Sequence, residues 1–303
     1  MSKIRVVEHF GPTAQGEGRY VGRPSVFIRT FGCNLRCKGF GMPAGQFTDE
    51  PMKIAATVND PKYSSLYKTL KDLPLAKTGC DSYAAIYPEF KRFATDYKPE
   101  DLAQELIKLL PYQSWQHPIT GTHTHLVITG GEPLLGWQRE FPKLLSAPGM
   151  ESLRFLTFET NATQALSNEF ESFLAEWQIP AQDVWDDPFN LREVTFSCSV
   201  KLKASGEPPE KTIHPDVLMQ YQGVGHTYLK FVAETPEHFD EIDQVTQMFR
   251  SEGFLGDVYV MPVGGTYESY MANATKVANL CLERGYNFSP REHTFLWGNC
   301  WGA

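Results

Sequence analysis

Short runs of apolar and β-branched residues recur along this chain, each followed by a segment rich in glycine, serine, threonine or charge. The runs predict strands over residues 25–29, 126–128, 154–158, 194–198, 228–232 and 258–261. Between them, apolar residues repeat with helical spacing over 100–110, 141–145, 168–177, 236–249 and 267–284. Strands that alternate with helices pair in parallel through crossover connections. The expected fold is therefore α/β, a parallel sheet of about six strands, closed or partly closed as a barrel, with helices outside. In such barrels the loops after the strands gather on one face and carry the chemistry.

The unusual motifs fall where that rule places them. Cys33-Asn34-Leu35-Arg36-Cys37 follows the first predicted strand and Thr129-Gly130-Gly131-Glu132-Pro133 the second. Glu159-Thr160-Asn161 follows the third, and Ser199-Val200-Lys201 the fourth. Residues 39–79 break the order: with Pro43, Pro51, Pro61 and Pro74 and no sustained period, they read as an insertion of loops and a short helix within one domain spanning 1–303.

With 303 residues, 42% of them hydrophobic, the chain can bury a sizeable core. A formal charge of −8 argues against a surface that coats nucleic acid. No apolar run is long enough to span a membrane, and Met1-Ser2-Lys3-Ile4-Arg5 lacks the apolar core of a signal peptide. Six cysteines, two closely paired, fit metal or redox chemistry in a reducing compartment, so the cytoplasm is the expected location.

Cys33 and Cys37 form a CxxxC, and Phe40 occupies the place of an expected third thiol. Cys80, in Gly79-Cys80-Asp81-Ser82, stands beyond the insertion. If it rejoins the pair, three thiolates can hold three corners of a 4Fe–4S cubane and leave one iron open. The plainer alternatives are small buried hydrophobes, or a structural zinc site completed by a histidine. Gly130 and Gly131 would let backbone carbonyls approach a ligand, with Glu132 bridging to a polar neighbour; a simple turn with a surface glutamate is the alternative. Glu159, Asn161 and Ser199 end apolar strands, where they need partners, a bound ligand, or helix-capping roles for Asn161 and Ser199. A second polar set comprises Gln15, Glu17, Arg29, Lys230, Arg291 and His293. A carboxylate accepts from N–H donors, and arginine grips an anion through two bonds. Arg29 could equally form a structural ion pair, and His293 be a satisfied core histidine.

Gln15-Gly16-Glu17-Gly18, Gly22-Arg23-Pro24, Phe27-Ile28-Arg29 and Gly32-Cys33-Asn34-Leu35 resemble the opening of the 7-carboxy-7-deazaguanine synthases, small members of the radical S-adenosylmethionine superfamily. The resemblance continues through the Gly-Gly-Glu-Pro and Glu-Thr-Asn motifs to Ser289-Pro290-Arg291-Glu292-His293 and Leu296-Trp297-Gly298-Asn299. It covers nearly the whole chain apart from the insertion, and it implies a partial (β/α) TIM-like barrel of the radical S-adenosylmethionine type, with about six parallel strands and helices outside. The family's CxxxCxxC, followed by Asp and Thr or Ser, is split here and resumes at Gly79-Cys80-Asp81-Ser82; its Ser-Pro-Lys stands as Ser199-Val200-Lys201.

The resemblance implies that Cys33, Cys37 and Cys80 hold a 4Fe–4S cluster. It implies that Gly130, Gly131, Glu132, Glu159, Asn161, Ser199 and Lys201 meet S-adenosylmethionine. Gln15, Glu17, Gly18, Arg29, Lys230, Arg291 and His293 would meet the substrate, and Ser82 a Mg2+ ion. The implied reaction is that of a carbon–nitrogen lyase, converting 6-carboxy-5,6,7,8-tetrahydropterin to 7-carboxy-7-deazaguanine with loss of ammonia, on the way to queuosine-type 7-deazaguanines. An electron donor such as flavodoxin or ferredoxin would reduce the cluster, releasing a 5′-deoxyadenosyl radical that abstracts a substrate hydrogen. A homodimer is the family's habit, and neither membrane nor direct nucleic-acid contact is implied.

Two rivals stand beside this reading. An activating enzyme of a glycyl-radical protein, such as anaerobic ribonucleotide reductase, shares the cofactor motifs, but Gln15-Gly16-Glu17-Gly18, the His293 tail and the chain length argue against it. A non-catalytic binding module draws its support from the interrupted cysteine loop. Cys198, Cys281 and Cys300 read as packing residues, and Trp301-Gly302-Ala303 forms an unusual chain end.

Overall fold

A computed structural model describes residues 3–179, 191–298 and 300–302. Among the described residues, nine strands form one sheet: β1 (Ile4–Ala14), β2 (Pro24–Thr30), β3 (Thr95–Tyr97), β4 (His125–Gly130), β5 (Phe155–Thr160), β6 (Glu193–Cys198), β7 (His226–Ala233), β8 (Val258–Pro262) and β9 (Asn287–Phe288). Their order is β3-β1-β2-β4-β5-β6-β7-β8-β9. All neighbours from β2 to β9 pair in parallel, whereas β1 is antiparallel to both β2 and β3. β4 and β6 are buried almost from end to end, as parallel strands covered on both faces must be.

The sequence led us to expect about six parallel strands beginning at residue 25; the structure adds β1, β3 and β9. The register of β1 shifts between Phe10 and Thr13, where Gly11-Pro12 breaks its alternation. β3 and β9, with three and two residues, are too short to register a period.

The helices are α1 (Glu50–Asn59), α2 (Pro99–Leu109), α3 (Phe141–Leu145), α4 (Asn168–Gln178), α5 (Pro215–Val224), α6 (Pro236–Ser251), α7 (Tyr267–Arg284) and α8 (Glu292–Trp297). Within α2 the buried residues Leu102, Ala103, Leu106 and Ile107 form one stripe. α5 escaped the sequence reading because Val217, Leu218 and Met219 run consecutively and blur its stripe.

Side chains alternate across each strand and divide the sheet's work. Ile28, Ile128, Phe158, Phe196, Phe231 and Val260 face the helices and share one core with Leu106, Phe141, Phe170 and Phe239. The intervening positions include Arg29, Thr129, Glu159 and Lys230, which line a cavity on the other face. Below them Phe10, Phe27 and Val127 form a small apolar floor, with the two rings stacked at 5.0 Å.

The end of the chain closes back on its beginning. The Gly18 N–H donates to Ser289 Oγ at 2.8 Å, and the Glu292 N–H to the Gly16 carbonyl at 2.9 Å. These bonds draw the loop after β1 against the segment after β9, curling the sheet into a partial barrel. Gly16 has no alternative here, since a Cβ would run into the His293 ring.

The ends of segment 39–79 lie side by side: the Gly79 N–H donates to the Phe40 carbonyl at 2.8 Å. Between those points it builds a small core of its own. Ala55 and Val58 of α1 pack with Leu70, Leu73 and Ala76 against Val7, Tyr83 and Phe90. Trp301 joins this cluster, donating its indole N–H to the Leu73 carbonyl at 3.2 Å and meeting Tyr83 edge-on. Among the described residues, no helix is long and apolar enough to cross a membrane.

Candidate active site

A cavity of about 260 Å³ is lined by residues at and just beyond the C-terminal ends of the parallel strands. It gathers Cys33, Cys37, Cys80 and Ser82 from the cysteine loop, and Gly130, Gly131, Glu159, Asn161, Ser199 and Lys201 from the loops after β4, β5 and β6. Gln15, Glu17, Arg29, Lys230, Arg291 and His293 complete the wall. Two residues of the expected site stand apart from it. Gly18 is buried with its N–H on Ser289, and Glu132 is fully buried behind the wall.

Cys80 lines the same cavity as Cys33 and Cys37 because segment 39–79 closes at Phe40 and Gly79, leaving Cys80 as the next residue on the wall. Burial pushes the Cys33 thiol up to about 11, the Cys37 thiol up to about 12, and the Cys80 thiol well above its ordinary value. The Lys201 ammonium pulls all three the other way. At neutral pH the thiols are therefore protonated in the metal-free protein, and metal binding must release those protons. Among the described residues, no three His, Cys, Asp or Glu side chains converge on a point suited to a single ion. Cys33, Cys37 and Cys80 all line the same cavity.

Glu132 is a strut. Its carboxylate accepts from the Leu134 N–H at 3.1 Å, the Thr160 hydroxyl at 2.8 Å and the Asn161 N–H at 2.7 Å. Burial still pushes it up to about 7. The Asn161 amide donates to Asn34 Oδ1 at 3.1 Å and lies 3.9 Å from the Cys33 sulfur, which ties the end of β5 to the cysteine loop. A Cβ on Gly131 would stand 2.7 Å from the Cys33 Cβ, so only glycine lets the β4 turn pack this closely. Lys201 donates to Ser199 Oγ at 2.7 Å.

The remaining polar residues form one charged network. Glu17 is held by Lys230 at 2.5 Å and Arg291 at 3.1 Å, with the His293 ring at 3.9 Å. Burial opposes the charge on Glu17, but Lys230 and Arg291 outweigh it and hold its carboxyl well below the usual range. Arg291 also reaches Asp81 at 2.7 Å, and Gln15 donates to Glu159 at 3.2 Å. Arg29 donates to Glu8 at 2.8 Å and to Ser82 Oγ at 2.8 Å. Arg29 thus combines the two roles open to it, an ion pair and a place on the cavity wall.

Burial, followed by the neighbouring Arg291, pushes His293 down to about 4. In the unfolded chain a histidine titrates near 6.5. As pH falls from about 6.5 to about 4, the unfolded chain takes up a proton that the folded chain refuses, so stability is lost across that window. His293→Gln is expected to flatten the loss by up to about 3 kcal/mol. Urea unfolding at several pH values between those limits measures this, and parallel pH profiles for the two proteins would count against it.

No family model matches the chain. It is 28% identical over 295 residues to the curated 7-carboxy-7-deazaguanine synthase of Halobacterium salinarum, covering 94% of this chain and 87% of that one. Against the curated enzyme of the same name from Rhodopirellula baltica the identity is 27% over 314 residues, with 98% and 88% covered. The chain is a homologue of the 7-carboxy-7-deazaguanine synthases. The crystal structure of QueE from Escherichia coli shares the fold, with a TM-score of 0.50 at 16% identity over 95% of this chain and 93% of that one.

Several residues on or beside the site of this 7-carboxy-7-deazaguanine synthase homologue were not singled out from sequence. Glu8 pairs with Arg29, Asp81 with Arg291, and Glu207 binds the backbone of the cysteine loop. Asp81 had a signal in its adjacency to Cys80, and Glu8 in its alternation with Phe10 on β1. Cys300, expected to be a packing residue, is exposed and lines the cavity with Trp301. Asn299 and Ala303 lie outside the described residues.

Proposed function

We propose that this chain is a radical S-adenosylmethionine enzyme, a carbon–nitrogen lyase that converts 6-carboxy-5,6,7,8-tetrahydropterin to 7-carboxy-7-deazaguanine with release of ammonia. The carrying observation is that three cysteines from both sides of a long insertion line one cavity with the motif residues from four strand ends. The chain serves as a single core domain, with residues 39–79 inserted in its cluster loop.

The donor set fits a 4Fe–4S cluster: Cys33, Cys37 and Cys80 offer three thiols and leave one iron open. When bound, the cluster and S-adenosylmethionine supply the one-electron chemistry. Gly130 and Gly131 offer backbone carbonyls to the methionine end of S-adenosylmethionine, with Glu159, Asn161, Ser199 and Lys201 around its polar groups. Glu132 acts through Thr160 and Asn161, which it holds in place.

On the substrate side, Glu17 accepts from the pyrimidine-edge donors, and it stays ionised because Lys230 and Arg291 flank it. Arg29 and Arg291 recognise the carboxylate. His293, neutral at working pH, donates or accepts a single hydrogen bond. Gln15 orients Glu17 by accepting its N–H at 3.2 Å, and Gly18 fixes the same loop from beneath. Ser82 offers a hard oxygen for Mg2+ beside Arg29. The apolar floor and the insertion limit water around the reacting groups.

A flavodoxin- or ferredoxin-like donor, a homodimer and a cytoplasmic setting complete the reading. The described cysteines are all free thiols, which suits a reducing compartment. The test is anaerobic reconstitution with iron and sulfide, followed by incubation with S-adenosylmethionine, a reductant and the carboxytetrahydropterin. One ammonia per 7-carboxy-7-deazaguanine is expected. A cluster-loaded protein that leaves the pterin unchanged would overturn the proposal.

A further inference from the structure

The first two cysteines sit on a loop that is gripped from one side by residues 203–207, beyond β6. The Gly39 N–H donates to the Ser205 carbonyl at 2.9 Å. The Arg36 and Cys37 N–H groups both donate to Glu207 Oε1, at 2.6 and 3.1 Å. The Glu207 N–H is itself fixed by the hydroxyl of fully buried Ser205 at 3.2 Å. Cys37 has a φ of +49°, a conformation that residues with a side chain rarely keep without support. A carboxylate that takes two successive N–H groups is such a support. Glu207 does not line the cavity, so the roles assigned above leave it unused.

The geometry points to Glu207 as a positioning residue that sets Cys37 for cluster binding and keeps the cluster's reduction potential low. This inference rests on the cluster reading above. Two effects act in the same direction. A negative charge beside the Cys37 sulfur disfavours adding an electron, and Glu207 occupies the Cys37 N–H that could otherwise stabilise the reduced cluster through its sulfur. Among the groups that act on Cys37, Asp81 works with Glu207 and Lys201 works against both.

Potentiometric titration followed by electron paramagnetic resonance, on full-length protein reconstituted anaerobically, tests this without any measurement of turnover. Glu207→Gln retains an oxygen for both N–H groups and loses the charge. It should hold as much iron as wild type, with the potential moved to more positive values. Glu207→Ala loses the grip as well and should hold several-fold less iron. Glu210→Gln, an equal charge change at an exposed acid three residues on, should match wild type in both respects. An unshifted potential in Glu207→Gln overturns the electrostatic role, and wild-type iron content in Glu207→Ala overturns the positioning role. Wild-type protein that takes up no iron overturns the cluster reading itself, an outcome distinct from either.

Discussion

Cys80→Ala is expected to give a folded chain that takes up no stable iron–sulfur cluster. Cys80 packs only at the edge of the apolar cluster around Leu73, Tyr83 and Phe90, so losing its sulfur removes little packing. As a direct ligand it should matter more than supporting residues around metal sites, whose loss alone costs about 10–100-fold in metal affinity or activity. Product formation should therefore fall by more than about 100-fold. Iron and sulfide analysis after anaerobic reconstitution provides the direct readout. Cys33→Ala should behave in the same way. Cys198→Ala is the control, because Cys198 is buried in the main core and does not line the cavity. Wild-type iron content in Cys80→Ala would remove the third ligand from the proposed site.

The second large effect is expected at Glu17. The Lys230 and Arg291 side chains are only 5% and 8% exposed, and both converge on this carboxylate. Glu17→Gln preserves the shape and removes the charge. Arg291 keeps Asp81 at 2.7 Å, but Lys230 is left with Glu159 at 4.0 Å. Removing one partner of a buried pair strands the other charge, at a cost of about 3–5 kcal/mol, whereas exposed pairs contribute about 1 kcal/mol or less. Urea unfolding of the ligand-free protein should show a loss in the larger range. Glu17→Gln combined with Lys230→Met should recover much of it, since the stranded charge has gone. A single-variant loss below about 1 kcal/mol would mean that the network is solvated and that Lys230 needs no such partner.

The charged network also separates what could be read from sequence and what could not. Arg29, Glu159 and Lys230 each lie in a β-strand whose alternation sets them opposite the core-facing Ile28, Phe158 and Phe231. That alternation is local and visible in the sequence. Their partners are not local. Glu8 is 21 positions from Arg29, and Asp81 is 210 from Arg291. No periodicity links residues so far apart, because their pairing depends on how the sheet curls and where the chain end docks. Asn161 and Ser199 show the same division. Their positions after β5 and β6 were evident, but the Asn161 amide turns to Asn34 on the cysteine loop, and Ser199 accepts from Lys201.

Segment 39–79 illustrates the point at larger scale. Its prolines and absent period suggested loops and a short helix, and α1 is such a helix, yet Ala55, Val58, Leu70, Leu73 and Ala76 find a shared apolar surface only once Tyr83 and Phe90 are folded beneath them. Each is unremarkable alone, and burial came from assembly. By itself the sequence determined the alternation of strands and helices, the placement of each motif after its strand, and the pairing of Cys33 with Cys37. These follow from backbone geometry and side-chain periods a few residues long. Only the tertiary structure decided that Cys80 stands on the same wall. A long loop costs only slightly more to close than a short one, so the chain can wander through residues 39–79 and return. What brings it back is a set of hydrogen bonds, from Gly79 to the Phe40 carbonyl and from Lys77 and Thr78 to the Glu50 carboxylate, and a small core built from residues that meet only after folding.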